Sequence, residues 1–544
     1  MTRRACFTSL AAVAGLARSA AAQRPPLHAT VVYAVGREPT MPIPLFTSNA
    51  EANEDLADQL FLHLAVFAAN AKGATDNAMS PALAKSWNRI DPLTLVFDID
   101  PRARWHDGTR VNAHDVLFTW ALATNPKVAT DTRFEPIASV EAVGDMSVRV
   151  RFKRPSLEQV YTFGFLLQPL PAHLLERLAP ETITTSEFAR HPVGDGPFRF
   201  ERRVAGQSVE LRADTTFFLG RPTISRLLFR TIEDPSARVT AFITGETDVL
   251  DKIPVQSLPQ VQRHAGGRVS DPGSNVLVYM LFNTHSTADS SKPHPIFGDP
   301  RVREALTLAL DRPTIARTTF GPSAQVPDAA QSQLWNWITA GTLTAQPANV
   351  ARARALLAQA GWRAANGDSI LAKSGAPLRF SLLYASSSAP NNTIALQAQQ
   401  MWRAVGVDAQ LDRLEPSVVG KRVGLGQFDL WVSRVGQDPT PSSLVQSWSC
   451  ASAQQPGSTN RAHWCDAAFD RLVTTATTAK DQPKAWRAAL AEMAAQRPAI
   501  FVAAPGNPIA IHPRFDNAIL WPSHTWLSLW QWRVRPSAAL PRDQ

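Results

Sequence analysis

The stretch from Pro81 to Trp120 leaves the chain the least freedom, because its hydrophobic period and its turn residues agree with each other. Thr94 to Ile99 sets Leu95, Phe97 and Ile99 against polar neighbours, the two-residue period of a strand with one buried face. Asp107-Gly108 is a turn signal, since glycine adopts the positive φ that tight turns require. Asn112 then stands as a helix N-cap before Ala113-His-Asp-Val-Leu-Phe-Thr-Trp, with Asp115 in the favourable first turn. The stretch therefore predicts a strand, turn, strand, turn and short helix. None of these features performs chemistry.

The order of residues in this stretch carries more than its period. Pro81-Ala-Leu-Ala-Lys-Ser-Trp87, an alternating strand, and then Trp105-His-Asp-Gly-Thr-Arg-Val-Asn-Ala-His-Asp-Val-Leu-Phe118 together resemble the signature of the peptide/nickel (family 5) extracytoplasmic solute-binding proteins, which serve ABC importers. The resemblance continues along most of the chain. It includes Arg37-Glu-Pro-Thr40, Pro192-Val-Gly-Asp-Gly-Pro-Phe198, Asp234-Pro-Ser-Ala-Arg238, Phe297-Gly-Asp-Pro-Arg-Val-Arg-Glu-Ala-Leu306 and Cys465-Asp-Ala-Ala-Phe-Asp-Arg-Leu472. In the second of these the family carries a hydroxyl residue where this chain has Asp195.

Composition agrees with an exported globular protein. A chain of 544 residues with 44% hydrophobic and 19% charged residues can bury a substantial core in two or three domains. Arg3-Arg4, an apolar run from Ala5 to Ala17 and Ala20-Ala-Ala22 read as a signal peptide over residues 1–22, and the run is too short to span a bilayer. The expected location is the periplasm. Cleavage would remove Arg3, Arg4 and Arg18 from a formal balance of +9, and the remaining positive charge forms no block, so no nucleic-acid partner is expected.

Cys450 and Cys465 remain after cleavage. An oxidising compartment favours a disulfide between them, closing a loop that contributes roughly 3 kcal/mol in the chain-entropy model. His463 beside Cys465 is the metal alternative, but no second pair completes a four-ligand set.

No nucleophile elbow, His-Glu-x-x-His pair, phosphate loop or dinucleotide fingerprint occurs. Glu246 and Asp248 have no histidine or lysine placed beside them for acid–base work. No catalytic residue, cofactor or metal ligand is assigned. The alternatives kept open are a secreted hydrolase with a non-contiguous site and a sensor that uses the same fold without a transporter.

The expected fold is α/β, a two-lobed periplasmic binding protein of type II, peptide-binding-like, with an extra inserted domain. Lobe I comprises residues 27–75, 191–281 and 510–544; the inserted small domain is 76–190; lobe II is 282–509. The expected partners are a small solute such as a peptide and the permease of an ABC transporter, with the protein itself a monomer. Ligand-facing residues are sought in the aromatic walls and polar anchors of a cleft. Trp335 and Trp337 lie in a polar, proline- and glycine-rich neighbourhood. Trp431, Arg434, Asp438 and Trp448 bracket the loop where the family places ligand contacts. Matching Asp438-Pro439 to the family's acid-Pro element puts Val435 where many peptide-binding members carry the aspartate that meets the ligand's α-amino group. Burying an ammonium there would lack a counter-charge, whereas the planar fork of Arg434 suits a carboxylate.

Overall fold

A computed structural model describes residues 29–40, 42–47, 51–68, 75–128, 134–264, 268–339, 345–364, 369–454, 458–521 and 524–543. The expected signal peptide lies outside the described residues.

Strand β1 (Thr30–Val35) is buried along its whole length, as its unbroken Val-Val-Tyr-Ala-Val run requires. Helix α1 (Glu51–Leu60) packs Leu56 and Leu60 beneath it. The chain then enters the inserted domain. There β2 (Ala84–Asp91), β3 (Thr94–Ile99), β4 (Ile137–Ala142) and β5 (Ser147–Phe152) form an antiparallel sheet in the order β2-β3-β5-β4, flanked by α2 (Ala113–Ala123). Leu95, Phe97 and Ile99 are buried as the alternation predicts. Asn112 caps α2: its side chain accepts from the amides of His114 (2.8 Å) and Asp115 (3.4 Å), and Asp115 accepts in return from the Asn112 amide (3.0 Å).

The chain re-enters lobe I through β6 (Phe198–Val204), β7 (Ser208–Ala213), β8 (Arg226–Thr231), α3 (Pro235–Ile243), β9 (Val249–Leu250) and β10 (Val269–Ser270). It then crosses to lobe II at β11 (Val276–Phe282), followed by α4 (Pro300–Leu308), α5 (Arg312–Phe320), α6 (Val350–Gln359), β12 (Arg379–Ala385), α7 (Ala389–Arg403), β13 (Asp408–Leu414) and β14 (Leu430–Gly436). Helices α8 (Ala467–Ala476) and α9 (Gln482–Gln496) and strand β15 (Ala499–Ala503) complete that lobe, and β16 (Ile509–Ile511) returns to lobe I. The two large sheets have the orders β10-β16-β9-β1-β8-β7-β6 and β13-β12-β14-β11-β15. Residues 271–275 and 504–508 are thus the two crossings between them.

This corrects the lobe boundary read from the sequence. The expected break at 281/282 falls too late, because Val276–Phe282 pairs with β14 and β15 in lobe II. That run is apolar on both faces and suits a central strand of either sheet, so its composition carries no lobe assignment.

Lobe I is drawn from three separate stretches of chain, and buried ions join them. The Arg514 side chain has no exposed surface. It donates to Asp248 (2.7 and 3.0 Å), to Asp543 (2.6 Å) and to the Thr30 carbonyl. Asp248 also accepts from the Val32 amide (2.8 Å) and Arg542 (2.7 Å), and Asp543 accepts from the Thr30 amide (2.8 Å).

The core divides at the crossings. One continuous apolar cluster runs from Val31 through Phe97 and Val150 to Trp532, so lobe I and the inserted domain share a core. Two others, around Met280 and Trp402 and around Trp335 and Trp486, cover opposite faces of the lobe II sheet.

The two signature stretches of the sequence meet at the seam of the first body. A Cβ on Gly194 would lie 1.8 Å from the Leu60 carbonyl oxygen, and one on Gly196 2.6 Å from that of Gln59, so only glycine lets this loop reach α1. The His106 amide donates to the Gly194 carbonyl (2.7 Å), His106 Nδ1 accepts from the Gly194 amide (3.1 Å), and Nε2 donates to the Gly196 carbonyl (3.0 Å). These bonds fit the neutral ring, and burial pushes the imidazole down to about 4.

Asp195 lies between those glycines. One carboxyl oxygen accepts from the Leu62 amide (2.9 Å), while the other is buried with no hydrogen-bond partner among the described residues. Burial, with the Asp115 charge nearby, pushes its carboxyl up to about 8. The folded protein therefore holds a proton that the unfolded chain releases near pH 4, and Asp195 costs stability progressively as pH rises from about 4 to about 8. Asp195→Asn is expected to exceed the parent in stability by more than ~1 kcal/mol at pH 8, with the gap closing towards pH 4. Urea midpoints across that range measure it, and parallel stability curves would refute the assignment.

Candidate functional site

The crossings place the candidate site. Asp271 bridges them: its carboxylate accepts from the Gly273 amide (3.0 Å) on its own segment and from the Asn507 amide (2.8 Å) on the other. Hinges of this type absorb a change of φ/ψ over a few residues while the bodies on either side stay intact. The inserted domain also reaches lobe II, where the Leu157 amide donates to the Thr477 carbonyl (3.4 Å).

Strand β14 runs antiparallel to β11, with Arg434 opposite Val278 and Gly436 opposite Val276, so it ends beside the first crossing. The following loop is pinned there. The Gln437 amide donates to the Asn275 carbonyl (2.8 Å), and its side chain to the Ala330 carbonyl (3.3 Å). The Trp335 indole nitrogen donates to the Asp438 carbonyl (2.9 Å). Gln333 ties the same layer to the second crossing through the carbonyls of Ala504 (3.0 Å) and Ser323 (2.8 Å).

The residues singled out from the sequence fall into two groups. Trp335 and Trp448 are buried in the lobe II core, with Trp448 packed against Tyr279, Phe501 and Trp464 at centroid distances of 6.0, 6.2 and 6.3 Å. Trp337 and Trp431 are half-buried against that same core. Arg434 is exposed and paired with no carboxylate among the described residues. Strand alternation sets it on the opposite face of β14 from Trp431, the face that buries Leu430 and Val432. Asp438 is half-buried in the pinned loop. Val435 is half-buried on the Trp431 face, an apolar group with no charge to offer.

Sequence reasoning missed Asp271, Gln333 and Gln437. Each is a short polar residue whose partner lies on another segment, and no local pattern marks it. Gln437 has an added feature: its Oε1 is buried without a hydrogen-bond partner among the described residues, an acceptor held beside the hinge.

The acidic pair weighed for acid–base work is accounted for otherwise. Glu246 is an exposed partner of Arg230 (2.9 Å), and Asp248 is a ligand of the buried Arg514. The Cys450–Cys465 disulfide is present, with a sulfur–sulfur distance of 2.02 Å. Cavities of about 470 Å³, lined by Arg354, Trp362 and Gly406, and about 290 Å³, lined by Asn112 and Met146, share no residue with the crossings or the pinned loop.

Comparison with known proteins agrees with this architecture. The family described as "Bacterial extracellular solute-binding proteins, family 5 Middle" matches residues 78–456, more than half of the chain. The oligopeptide-binding protein AppA of Bacillus subtilis is 24% identical over 523 residues, covering 92% of this chain and 91% of that one. Di/tripeptide-binding protein 2 of Pseudomonas aeruginosa is 25% identical over 455 residues, covering 78% and 80%. Among solved structures, AppA from Bacillus subtilis with a nonapeptide superposes with a TM-score of 0.74 at 23% identity, over 93% of this chain and 99% of that one. NikZ from Campylobacter jejuni with Ni(L-His) gives 0.75 at 23% identity, with the same coverage. These two share the fold.

The pinned loop yields a local test. Trp335→Phe keeps an aromatic side chain but a smaller one and removes the donor to Asp438; the lost hydrogen bond alone is worth about 1 kcal/mol of local stability. Amide exchange over residues 436–440 is expected to accelerate roughly fivefold, with exchange in β1 unchanged. Unaltered exchange in the loop would show that the indole does not hold it.

Proposed function

Because this chain belongs to the family 5 bacterial extracellular solute-binding proteins, we propose that it captures a peptide or related small solute outside the cytoplasmic membrane and delivers it to the permease of an ABC importer. It reaches the periplasm by the signal peptide at residues 1–22 and acts as a monomer. The observation that carries the reading is the division of the core at two neighbouring crossings bridged by Asp271. A solute held between two such bodies shifts the hinge by its differential affinity for the closed form, and the closed form is what a permease distinguishes from the empty one. No covalent step is needed. Relatives named for oligopeptides and di/tripeptides support a peptide-like cargo.

The solute we favour bears a carboxylate. Arg434 supplies an unpaired guanidinium at the end of β14, beside the pinned Gln437–Asp438 loop, and a guanidinium accepts a carboxylate in bidentate fashion. Val435 leaves no counter-charge for a free amine at the position where peptide-binding members of the family carry an aspartate. The cargo is therefore an acidic or amine-blocked peptide, or a related organic acid, and not an ordinary free-amine peptide clamped at both ends.

Protein purified from its own periplasm, then denatured, should release a stoichiometric small molecule identifiable by mass spectrometry. Titrated back by calorimetry, that solute should bind Arg434→Ala at least about tenfold more weakly than the parent, a difference of about 1.4 kcal/mol. A difference below about 0.5 kcal/mol, the size of an ordinary surface substitution, would remove Arg434 from the site. A deletion strain should lose uptake of the same solute, and normal uptake would contradict the transport role.

A further inference from the structure

One cluster of metal-ligating side chains lies away from the crossings and plays no part in the solute reading. Asp58, in the last turn of α1, His63, three residues beyond that helix, and His524, near the C-terminus, bring one ligand atom each to within 4.8 Å of one another. Asp58 and His63 are buried, and His524 retains a quarter of its side-chain exposure. His63 Nε2 lies 3.2 Å from one Asp58 oxygen, and His524 Nδ1 lies 2.6 Å from the other.

The orientation of His63 is informative. Its Nδ1 lies 2.5 Å from the carbonyl oxygen of Phe165, and its ring stacks on the Phe165 ring at 4.3 Å. A carbonyl oxygen only accepts, so Nδ1 carries the proton. In the neutral ring the lone pair then sits on Nε2, aimed at the Asp58 carboxylate. Two electron-rich groups at 3.2 Å require a proton or a metal ion between them, the proton being carried by the ring or by the carboxyl. The surroundings match the metal ion. A metal-binding histidine characteristically donates its other N–H to a backbone carbonyl, as His63 does to Phe165. The carboxylate is itself oriented from outside: the Gln168 amide nitrogen donates to Asp58 Oδ1 (3.2 Å) and to the Phe61 carbonyl (3.2 Å). Two ligand atoms each about 2.0–2.1 Å from a tetrahedral zinc ion stand roughly 3.3 Å apart. His63 Nε2 and Asp58 Oδ1 already meet this spacing; His524 Nδ1 faces the other carboxylate oxygen, and since the three ligand atoms lie within 4.8 Å of one another it joins them by a shift of its partly exposed ring.

We propose that Asp58, His63 and His524 form a binding site for a divalent transition-metal ion of the zinc class. Two imidazole nitrogens and one carboxylate oxygen suit such an ion and leave a fourth position facing solvent on the His524 side. The ion would staple the C-terminal segment to α1 and to the helical turn Tyr161–Phe165 of the inserted domain. The three ligands belong to the lobe I body, so the proposal stands apart from the identity of the solute.

The test uses the untagged mature protein, stripped with EDTA and titrated with ZnCl2 by calorimetry, with metal content read by mass spectrometry. One zinc per chain is expected, together with a rise in Tm that EDTA reverses. His524→Ala removes the 2.6 Å partner of the buried Asp58 and should itself lower the Tm of the stripped protein, so it is read on the metal: zinc affinity should fall at least about a hundredfold, the upper end of the effect of removing a mere supporting contact, and added zinc should no longer raise the Tm. His63→Asn, whose amide nitrogen can stand where Nδ1 donates to the Phe165 carbonyl, should lose zinc binding in the same way. Absence of stoichiometric zinc in the parent, or undiminished affinity in His524→Ala, would overturn the proposal. So would NMR showing His63 as a doubly protonated ring that zinc does not displace.

Discussion

The guanidinium of Arg514, wholly withdrawn from solvent, is the contact on which the architecture depends. Its partners come from every part of lobe I: the Thr30 carbonyl 484 residues away, Asp248 at 266, and Asp543 at 29. The strands it serves are short, two residues in β9 and β10 and three in β16, so their ladders alone contribute few hydrogen bonds. A buried cation with each of its three nitrogens hydrogen-bonded fixes how these pieces meet. Such a group adds little net stability over an apolar substitute, yet removing one partner costs about 3–5 kcal/mol because the remaining charges stay buried. Its role is to make one arrangement of three distant stretches much better than the others. In that arrangement the chain leaves lobe I at 271–275 and returns at 504–508 side by side.

Everything that makes the molecule a binding device follows from this pair of crossings. The inserted domain shares its core with lobe I through the His106–Gly194 seam and moves with it, while lobe II has apolar clusters of its own on both faces of its sheet. Each body thus has its own apolar core, and the two crossings that join them are bridged by the Asp271 carboxylate. The Gln437–Asp438 loop, held by Trp335 and by Asn275, stands at that connection, where a small rotation changes its surroundings most. A ligand contact placed there senses closure directly.

Features of the sequence that act over a few residues were legible. The alternation of Leu95, Phe97 and Ile99, the Asn112 cap and the Cys450–Cys465 pairing each depend on neighbours along the chain or on two cysteines alone. The family resemblance lay in those same stretches and carried the fold with it. What escaped was relational. Val276–Phe282 suited either sheet, and only its pairing with β14 and β15 assigns it to lobe II. Trp335 stood out as an aromatic in a polar stretch, but its function as a donor to the Asp438 carbonyl arises from a contact 103 residues away. His524 and Asp58 are separated by 466 residues, and single histidines scattered through a chain give no sign of such a meeting.

On the proposed function, a solute closes lobe II onto the joint body of lobe I and the inserted domain. Small-angle X-ray scattering measures this in protein stripped of solute by unfolding and refolding and then resupplied with the molecule released from the native preparation. The radius of gyration should fall on adding stoichiometric solute, and replacing Asp271 with alanine should change the balance between the open and closed curves. Tight binding of the released molecule with superimposable scattering in the two states would contradict it.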